Sequence, residues 1–429
     1  MKILIKGARV IDPLNTIDAV QDVLVNGNLI VRVGDELTAD NAEVIMAHGK
    51  FLVPGLVDIH VHLREPGREH KETIHSGCRA AAAGGFTTVC CMPNTLPPID
   101  SASTVEFVLS KAATAVINCY PIAAITVGQR GETLTNASGL KTAGAIAFSD
   151  DGEPVSNSRL LYEALIASKE HGLPIIVHCE DKHLAGKGAM HEGYRSMVLN
   201  IPGIPAAAED AMVARDLTLA ELSGGRLHIA HVSTQGAITL IRQAKDRGVN
   251  VTCEVTPHHL CLTHDHVNID DANTKMNPPL RTHEDVAALR KALQDGTIDC
   301  IATDHAPHHS DEKAQGYNEA PFGIVGLETA LPLMVTELVL TNVISLTRLV
   351  QLMSANPARI LDLECGEIIP QGLADLTLID LDTTRQVNSS RFYSLGHNTP
   401  FDGKNLRGWP VMTMVSGKIV MKDGVVVHA

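Results

Sequence analysis

Hydrophobic residues in the middle of the chain alternate between short apolar runs and longer segments with helical spacing. Eight apolar runs rich in β-branched residues are predicted to be strands: 56–62, 87–92, 117–127, 144–148, 174–178, 227–231, 249–256 and 299–303. The segments between them, such as 70–83, 159–171, 206–222 and 284–294, carry the apolar periodicity of helices. Short apolar strands that alternate with helices indicate a parallel sheet covered on both faces. Eight such units predict a closed (β/α)8 barrel of the TIM type. The alternative is an open, doubly wound sheet, but the first strand is not followed by the glycine-rich dinucleotide loop of that fold.

The two ends of the chain share a different pattern, in which short strands are separated by turn residues. Asn26-Gly27 lies between two β-branched runs, which is a strong hairpin signal, and Asp423-Gly424 has the same setting near the C-terminus. Neither end holds enough strands for a stable core of its own. We therefore predict an α/β protein in which residues 1–53 and 366–429 together form a small β-sandwich domain and residues 54–365 form the barrel.

Composition and charge exclude several classes of function. A hydrophobic fraction of 45% and a charged fraction of 20% are those of an ordinary globular protein. The net charge of −14 and the aromatic fraction of 3% argue against binding to nucleic acid or to an anionic membrane. With no signal peptide and no apolar stretch of transmembrane length, we expect a cytoplasmic protein. The nine cysteines form no C-x-x-C pair, so we expect neither a thiolate metal site nor a disulfide framework.

Histidine and aspartate residues cluster where the predicted strands end, which is the functional face of a barrel. The first strand runs into Asp58-Ile59-His60-Val61-His62-Leu63-Arg64, whose four polar residues are expected to share one face. Asp151, His178, His231 and Asp304 follow the fourth, fifth, sixth and eighth strands. Imidazole and carboxylate ligands without thiolate suit Zn²⁺, Mn²⁺ or Fe²⁺ in an open catalytic site. Six ligands exceed the need of one tetrahedral metal, and a bridging carboxylate would let two metals share them.

Longer motifs carry a resemblance to a known family. They lie at residues 58–67, 92–95, 149–152, 178–181, 254–259, 275–281, 302–308, 320–323 and 398–403. Together they resemble the amidohydrolase superfamily and, within it, the dihydroorotases of the class I bacterial type, over essentially the whole chain. The resemblance implies a zinc-dependent hydrolase that interconverts L-dihydroorotate and N-carbamoyl-L-aspartate, through a metal-bound hydroxide, in pyrimidine biosynthesis.

The resemblance also implies roles for individual residues. The implied metal ligands are His60, His62, Asp151, His178, His231 and Asp304. Among them Asp304 acts as general base and acid, and Asp151 bridges two Zn²⁺ ions. The resemblance implies one or two ions per subunit, and two are favoured. The implied substrate contacts are His62, Arg64, Asn94, Asn277, His308, Phe322 and Gly323, of which Arg64, Asn94 and His308 hold the carboxylate. The family forms homo-oligomers, and some members associate with aspartate transcarbamoylase.

Two alternative functions stay open at this point. One is another cyclic amidohydrolase, such as an allantoinase or a hydantoinase, whose substrates lack the ring carboxylate and would leave Arg64 without a purpose. The other is a catalytically silent homologue that serves as a structural partner of aspartate transcarbamoylase. Such relatives lose metal ligands, whereas all six are present here.

Three further expectations concern residues near the predicted site. Asp58 is a candidate for orienting a ligand histidine. His258 and His259 follow the seventh strand but are expected to pack or to support the site rather than bind metal. The polar segment 310–320, which contains Gly316, is either a loop that closes over the substrate or an ordinary surface loop.

Overall fold

The computed structural model describes residues 1–427, and the N-terminal part is a set of five strands. These are β1 (Lys2–Asp12), β2 (Ile17–Asn26), β3 (Leu29–Gly34), β4 (Ala42–Met46) and β5 (Phe51–Pro54). Strands β2 and β3 form the predicted hairpin, with Asn26 opposite Leu29. Gly27 adopts a φ of 63° in its turn, a left-handed conformation that glycine tolerates without a steric cost.

The middle of the chain forms a closed ring of parallel strands. The strands of this part of the chain are β6 (Leu56–Val61), β7 (Phe86–Cys91), β8 (Asn118–Pro121), β9 (Phe148–Ser149), β10 (Ile175–Val177), β11 (Met190–His191), β12 (Gly203–Ile204), β13 (Leu227–Ile229), β14 (Val251–Val255) and β15 (Cys300–Ile301). Strands β6 to β8 form one parallel group and β9, β10 and β13 to β15 another, while β11 and β12 pair separately. Parallel bridges between Ala123 and Phe148 and between Val61 and His305 join the two groups into a ring. The predicted (β/α)8 barrel is therefore confirmed.

Helices connect the barrel strands and cover their outer faces. They are α1 (Ile74–Ala83), α2 (Ala102–Ala112), α3 (Ala137–Ala143), α4 (Ser158–His171), α5 (Lys182–Ala185), α6 (Tyr194–Leu199), α7 (Ala207–Ser223), α8 (Gln235–Asp246), α9 (Pro257–Cys261), α10 (His283–Asp295), α11 (Ser310–Lys313), α12 (Ala330–Met334), α13 (Leu346–Val350) and α14 (Asn356–Ile360). Sequence signals set their ends: the Thr234 side chain, for example, caps the first turn of α8 by accepting a bond from the Ala237 N–H. Among residues 1–427, no helix combines the length and the apolar character needed to span a membrane.

The last part of the chain returns to the N-terminal strands. Strands β16 (Leu376–Gln386), β17 (Asn405–Val415), β18 (Lys418–Lys422) and β19 (Val425–Val426) extend the N-terminal sheet to nine strands. The two ends join where β16 runs antiparallel to β5. Buried residues from both ends, including Ile3, Val25, Leu376 and Met414, form one hydrophobic core. The two ends thus fold as one unit, and the boundaries 1–53 with 366–429 and 54–365 stay a prediction.

Candidate active site

Six imidazole and carboxylate side chains meet at the carboxyl ends of the barrel strands, and all six residues are buried. Five of them form two groups, within each of which the potential ligand atoms lie within 4.8 Å of one another. The first group is His60, His62 and Asp151, and the second is Asp151, His178 and His231. Because Asp151 belongs to both groups and Asp304 Oδ1 lies 2.9 Å from His62 Nε2, the six side chains form one continuous centre.

Distances within this centre place the two carboxylates among the imidazole nitrogens. Asp151 Oδ1 lies 3.4 Å from His60 Nε2 and 3.6 Å from His231 Nε2. The same oxygen lies 3.9 Å from His178 Nδ1, and Asp151 Oδ2 lies 3.5 Å from His62 Nε2. Asp304 Oδ1 lies 2.9 Å from His62 Nε2 and 3.6 Å from His60 Nε2. Asp151 is thus central, and Asp304 lies beside the His60 and His62 pair.

The donor set fits a divalent metal ion. Within the described residues, the buried atoms His60 Nε2 and Asp151 Oδ1 have no hydrogen-bond partner. Buried polar atoms without a partner are costly, and a metal ion between them would satisfy both. Nitrogen and carboxylate donors without thiolate match the ligands that Zn²⁺ and similar ions take in catalytic sites.

Electrostatics keep Asp151 and His178 in the protonation states that metal ligands have. Burial opposes ionisation of Asp151, but the charge of His60 and the nearby imidazole of His231 outweigh it and hold the pKa of Asp151 well below its usual range. Burial is also the main cause that lowers the pKa of His178 to about 4, with the charge of His231 acting in the same direction. At neutral pH the aspartate is therefore an anion and His178 a neutral imidazole, as metal ligands are.

Glu254 on β14 orients one of these histidines, and the sequence analysis did not single it out. Its carboxylate is fully buried and accepts a bond of 2.5 Å from His60 Nδ1. The other oxygen lies 3.1 Å from His228 Nε2, and the His231 backbone N–H donates to Oε1 at 3.3 Å. A carboxylate behind a metal-binding histidine fixes the ring and leaves Nε2 free for the metal. The signal was a lone glutamate in the buried strand Val251–Val255.

Three of the predicted site residues have left-handed backbone conformations. The φ angles are 61° at Arg64, 33° at His231 and 49° at Asp304. Such conformations cost about 1–3 kcal/mol for residues other than glycine, so they persist where the surrounding structure enforces them. The barrel mouth therefore holds these three side chains in directions that a regular strand would not give them.

One cavity of about 360 Å³ opens onto the six-residue centre. Eleven of the twelve predicted site residues line it, namely His62, Arg64, Asn94, Asp151, His178, His231, Asn277, Asp304, His308, Phe322 and Gly323. His60 lies beneath them with no exposed surface. Glu153, Glu180 and Lys182 also line the cavity, although the sequence analysis assigned them no role. The structure thus brings the predicted metal ligands and the predicted substrate contacts to one place.

A positively charged side of this cavity is built around Arg64. Its Nε donates to Pro307 O at 3.3 Å, and its Nη2 lies 3.4 Å from His308 Nε2. Burial lowers the pKa of Arg64 to about 10, so the guanidinium remains charged at neutral pH. Asn94 Oδ1 lies 2.9 Å from His62 Nδ1 and can orient that ring.

Other residues considered in the sequence analysis occupy supporting positions. Asp58 accepts bonds from the backbone N–H groups of His60 and Thr303, so it fixes the backbone while Glu254 holds the ring of His60. His259 lies 2.7 Å from Thr256 Oγ1 and 2.9 Å from Pro278 O, both away from the metal ligands. In the segment 310–320, Lys313 Nζ donates to Pro321 O and Gly323 O at 3.0 Å each. Whether this segment closes over a substrate stays a prediction.

Comparisons with known proteins agree with this geometry. A sequence model of the family described as Dihydro-orotase-like matches residues 49–237. The dihydroorotase of Pelotomaculum thermopropionicum is 52% identical over 426 residues, which cover 99% of this chain and 100% of that protein. The dihydroorotase of Geobacter metallireducens is 50% identical, over 98% of this chain and 100% of that protein.

Solved structures of related enzymes share the fold over the whole chain. The dihydropyrimidinase from Brevibacillus agri NCHU1002 superposes with a TM-score of 0.88 at 25% identity, covering 100% of this chain and 96% of that chain. The L-hydantoinase from Arthrobacter aurescens gives a TM-score of 0.88 at 29% identity, covering 99% of this chain and 97% of that chain. A barrel with a β domain at its side is therefore common to this chain and to these enzymes.

Proposed function

Since this chain belongs to the dihydroorotase family, we propose that it is a metal-dependent dihydroorotase, which reversibly hydrolyses the cyclic amide of L-dihydroorotate to N-carbamoyl-L-aspartate in pyrimidine biosynthesis. The observation that most supports this proposal is a single cavity that opens onto both the six-residue centre around Asp151 and the buried cation Arg64. The full-length dihydroorotase relatives support the same reaction.

The metal that we propose is Zn²⁺, with two ions per subunit favoured over one. His60, His62 and Asp304 would hold one ion, His178 and His231 the other, and Asp151 would contact both. This assignment is supported by the position of Asp151 in both groups of ligand atoms. When bound, the metal would lower the pKa of a water molecule and polarise the carbonyl group of the substrate.

Asp304 is the residue that we propose to move protons. Burial disfavours its charged form, but a bond from His62 and the charge of His60 lower the pKa of Asp304, so it is an anion at neutral pH. A carboxylate beside the metal ligands can take a proton from the attacking water and give it to the leaving ring nitrogen. Its Oδ1 lies 2.9 Å from His62 Nε2, and Asp304 lines the cavity.

The remaining predicted contacts would hold the substrate. Arg64 carries a planar fork that matches a carboxylate, and Asn94 and His308 line the same cavity and would add further polar contacts. Asn277 and the backbone of Phe322 and Gly323, which also line the cavity, would bind the ring amides. Hydantoin and allantoin lack the ring carboxylate, so these contacts favour dihydroorotate over the substrates of related cyclic amidohydrolases.

The proposal is tested by assaying the purified protein with dihydroorotate, hydantoin and allantoin. We expect turnover of dihydroorotate well above the other two, loss of that turnover after chelation, and recovery when Zn²⁺ is added back. Metal analysis of the same preparation gives the number of ions per chain. Faster turnover of hydantoin or allantoin would favour the alternative amidohydrolases. A protein that binds no metal and shows no turnover would indicate the catalytically silent homologue.

An Arg64→Lys variant should raise the KM for dihydroorotate about tenfold or more and change kcat less, because lysine keeps the charge but loses the bidentate fork. Steady-state kinetics at fixed Zn²⁺ measure both constants. The matched control is Arg159→Lys, since the Arg159 side chain is 76% exposed and is not among the residues that line the cavity. An unchanged KM in the Arg64 variant would contradict the proposed carboxylate contact.

The resemblance also leads to a separate proposal about the assembly state of the protein. We propose that the protein forms homo-oligomers and can associate with aspartate transcarbamoylase. Light scattering of the protein alone, and then mixed with a transcarbamoylase from the same source, measures both. A monomer that stays monomeric in the mixture would contradict this proposal.

A further inference from the structure

Asn398 lies between the barrel and the C-terminal strands and makes a set of bonds that the metal centre does not explain. It belongs to the motif 398–403, and 4% of its surface is exposed. Its Oδ1 accepts the backbone N–H of His308 at 3.1 Å. Its Nδ2 donates to Ala306 O and to Gly323 O, each at 3.0 Å. Its own carbonyl accepts the N–H of Val325 at 2.9 Å.

These bonds join the two backbone segments that carry proposed substrate contacts. One segment, 306–308, follows the last barrel strand and ends at His308. The other, 323–325, begins at Gly323, whose neighbour Phe322 has its carbonyl 2.8 Å from His308 Nε2. Because one carboxamide bonds to both segments, its size fixes the distance between them.

The chain around Asn398 is itself held tightly against the barrel. Ser394 Oγ donates to the buried carboxylate of Glu72 at 2.5 Å, and the Leu395 N–H donates to the same group at 3.3 Å. Gly396 leaves no room for a side chain, since an added Cβ would lie 2.6 Å from Pro307 Cβ and 2.8 Å from Asn398 Oδ1. Pro307 is also the residue whose carbonyl accepts the bond from Arg64. The segment 394–398 therefore packs against the backbone that supports the positively charged side of the cavity.

We infer that Asn398 is a positioning residue for substrate binding, which sets the spacing between the His308 segment and the Phe322–Gly323 segment. This inference rests on the proposed function. A neutral carboxamide is required because it supplies two donors for two carbonyls and one acceptor for an N–H. An aspartate of the same shape would keep the acceptor but turn a carboxylate oxygen towards Ala306 O and Gly323 O. Within residues 1–427, none of the hydrogen bonds of Asn398 goes to a proposed metal ligand, so its loss should act on substrate binding and spare the metal.

The test compares Asn398→Asp and Asn398→Ala with the wild type and with Asn405→Ala, an exposed asparagine in the same part of the chain. Both Asn398 variants should raise the KM for dihydroorotate about tenfold, with kcat within about threefold and with unchanged metal content. The dissociation constant of N-carbamoyl-aspartate, measured by calorimetry, should rise by the same factor. Melting curves show that the assays run on folded protein, and if one of the two Asn398 variants unfolds, the other keeps the test valid.

The outcomes separate this inference from the function on which it rests. A higher KM and weaker product binding at unchanged metal content would support the positioning role. Wild-type protein that turns over dihydroorotate, with variants of unchanged KM, would overturn this inference alone. Equal losses of kcat and metal without a change in KM would also overturn it, because they would place the effect at the metal centre. A wild type without dihydroorotate turnover would overturn the proposed function and this inference with it.

Discussion

An Asp304→Asn variant should retain its metal and turn over dihydroorotate about a thousand times more slowly than the wild type, within the range of a positioned general base. The amide oxygen can still face His62 Nε2, from which the Asp304 carboxylate lies 2.9 Å. An amide cannot accept a proton from water at neutral pH, and it cannot return one to the leaving nitrogen. The loss should therefore appear in kcat, with a smaller change in KM.

This expectation is checked by steady-state kinetics together with metal analysis of each preparation. Asp311→Asn is the matched control, because the Asp311 side chain is 88% exposed and lies seven positions away in sequence. A loss of turnover that matches the loss of metal, and that added Zn²⁺ restores, would assign Asp304 to metal binding alone. A loss of less than about tenfold would remove it as the general base.

The sequence predicted the barrel and the location of the site because both depend on local patterns. Each short apolar run marked a barrel strand, and the polar residues that follow these runs meet at one end of the ring because parallel strands share a direction. The predicted hairpin at Asn26-Gly27 is a two-residue signal of the same local kind. The pairing of the two chain ends was inferred from the shortage of strands at each end, and the structure confirms it through β5 and β16.

Supporting contacts were harder to predict because they join residues far apart in sequence. His60 and Glu254 are separated by 194 positions, and Asn398 is separated from Ala306 by 92. Asp58 was a candidate for orienting a ligand histidine, yet the residue behind the His60 ring is Glu254, from a different strand. The residue that lies behind a histidine ring depends on the stagger of neighbouring strands. The alternation of residues along one strand carries no information about that stagger.

A Glu254→Gln variant should weaken binding of Zn²⁺ about 10–100-fold, the usual cost of losing a charged partner behind a metal-binding histidine. Burial opposes ionisation of Glu254, but the charge of His60 and a bond from His228 lower its pKa, so a full negative charge lies behind His60. Glutamine keeps the shape and can still accept from His60 Nδ1, so the fold should persist. Without the negative charge behind its ring, His60 becomes a weaker electron-pair donor to the metal. The amide group of glutamine is also a poorer hydrogen-bond partner for His228 Nε2 than the carboxylate is.

Competition with a chromophoric chelator measures the dissociation constant for Zn²⁺ without relying on turnover. Glu221→Gln is the matched control, since that side chain is 49% exposed and paired with Arg247 at the surface. At saturating Zn²⁺ the Glu254 variant should recover most of its kcat, because the groups that contact substrate are unchanged. Unchanged Zn²⁺ affinity would show that Glu254 serves only the packing of the barrel interior. Lost affinity with recovered kcat would show that the β14 carboxylate acts on the centre through the ring of His60.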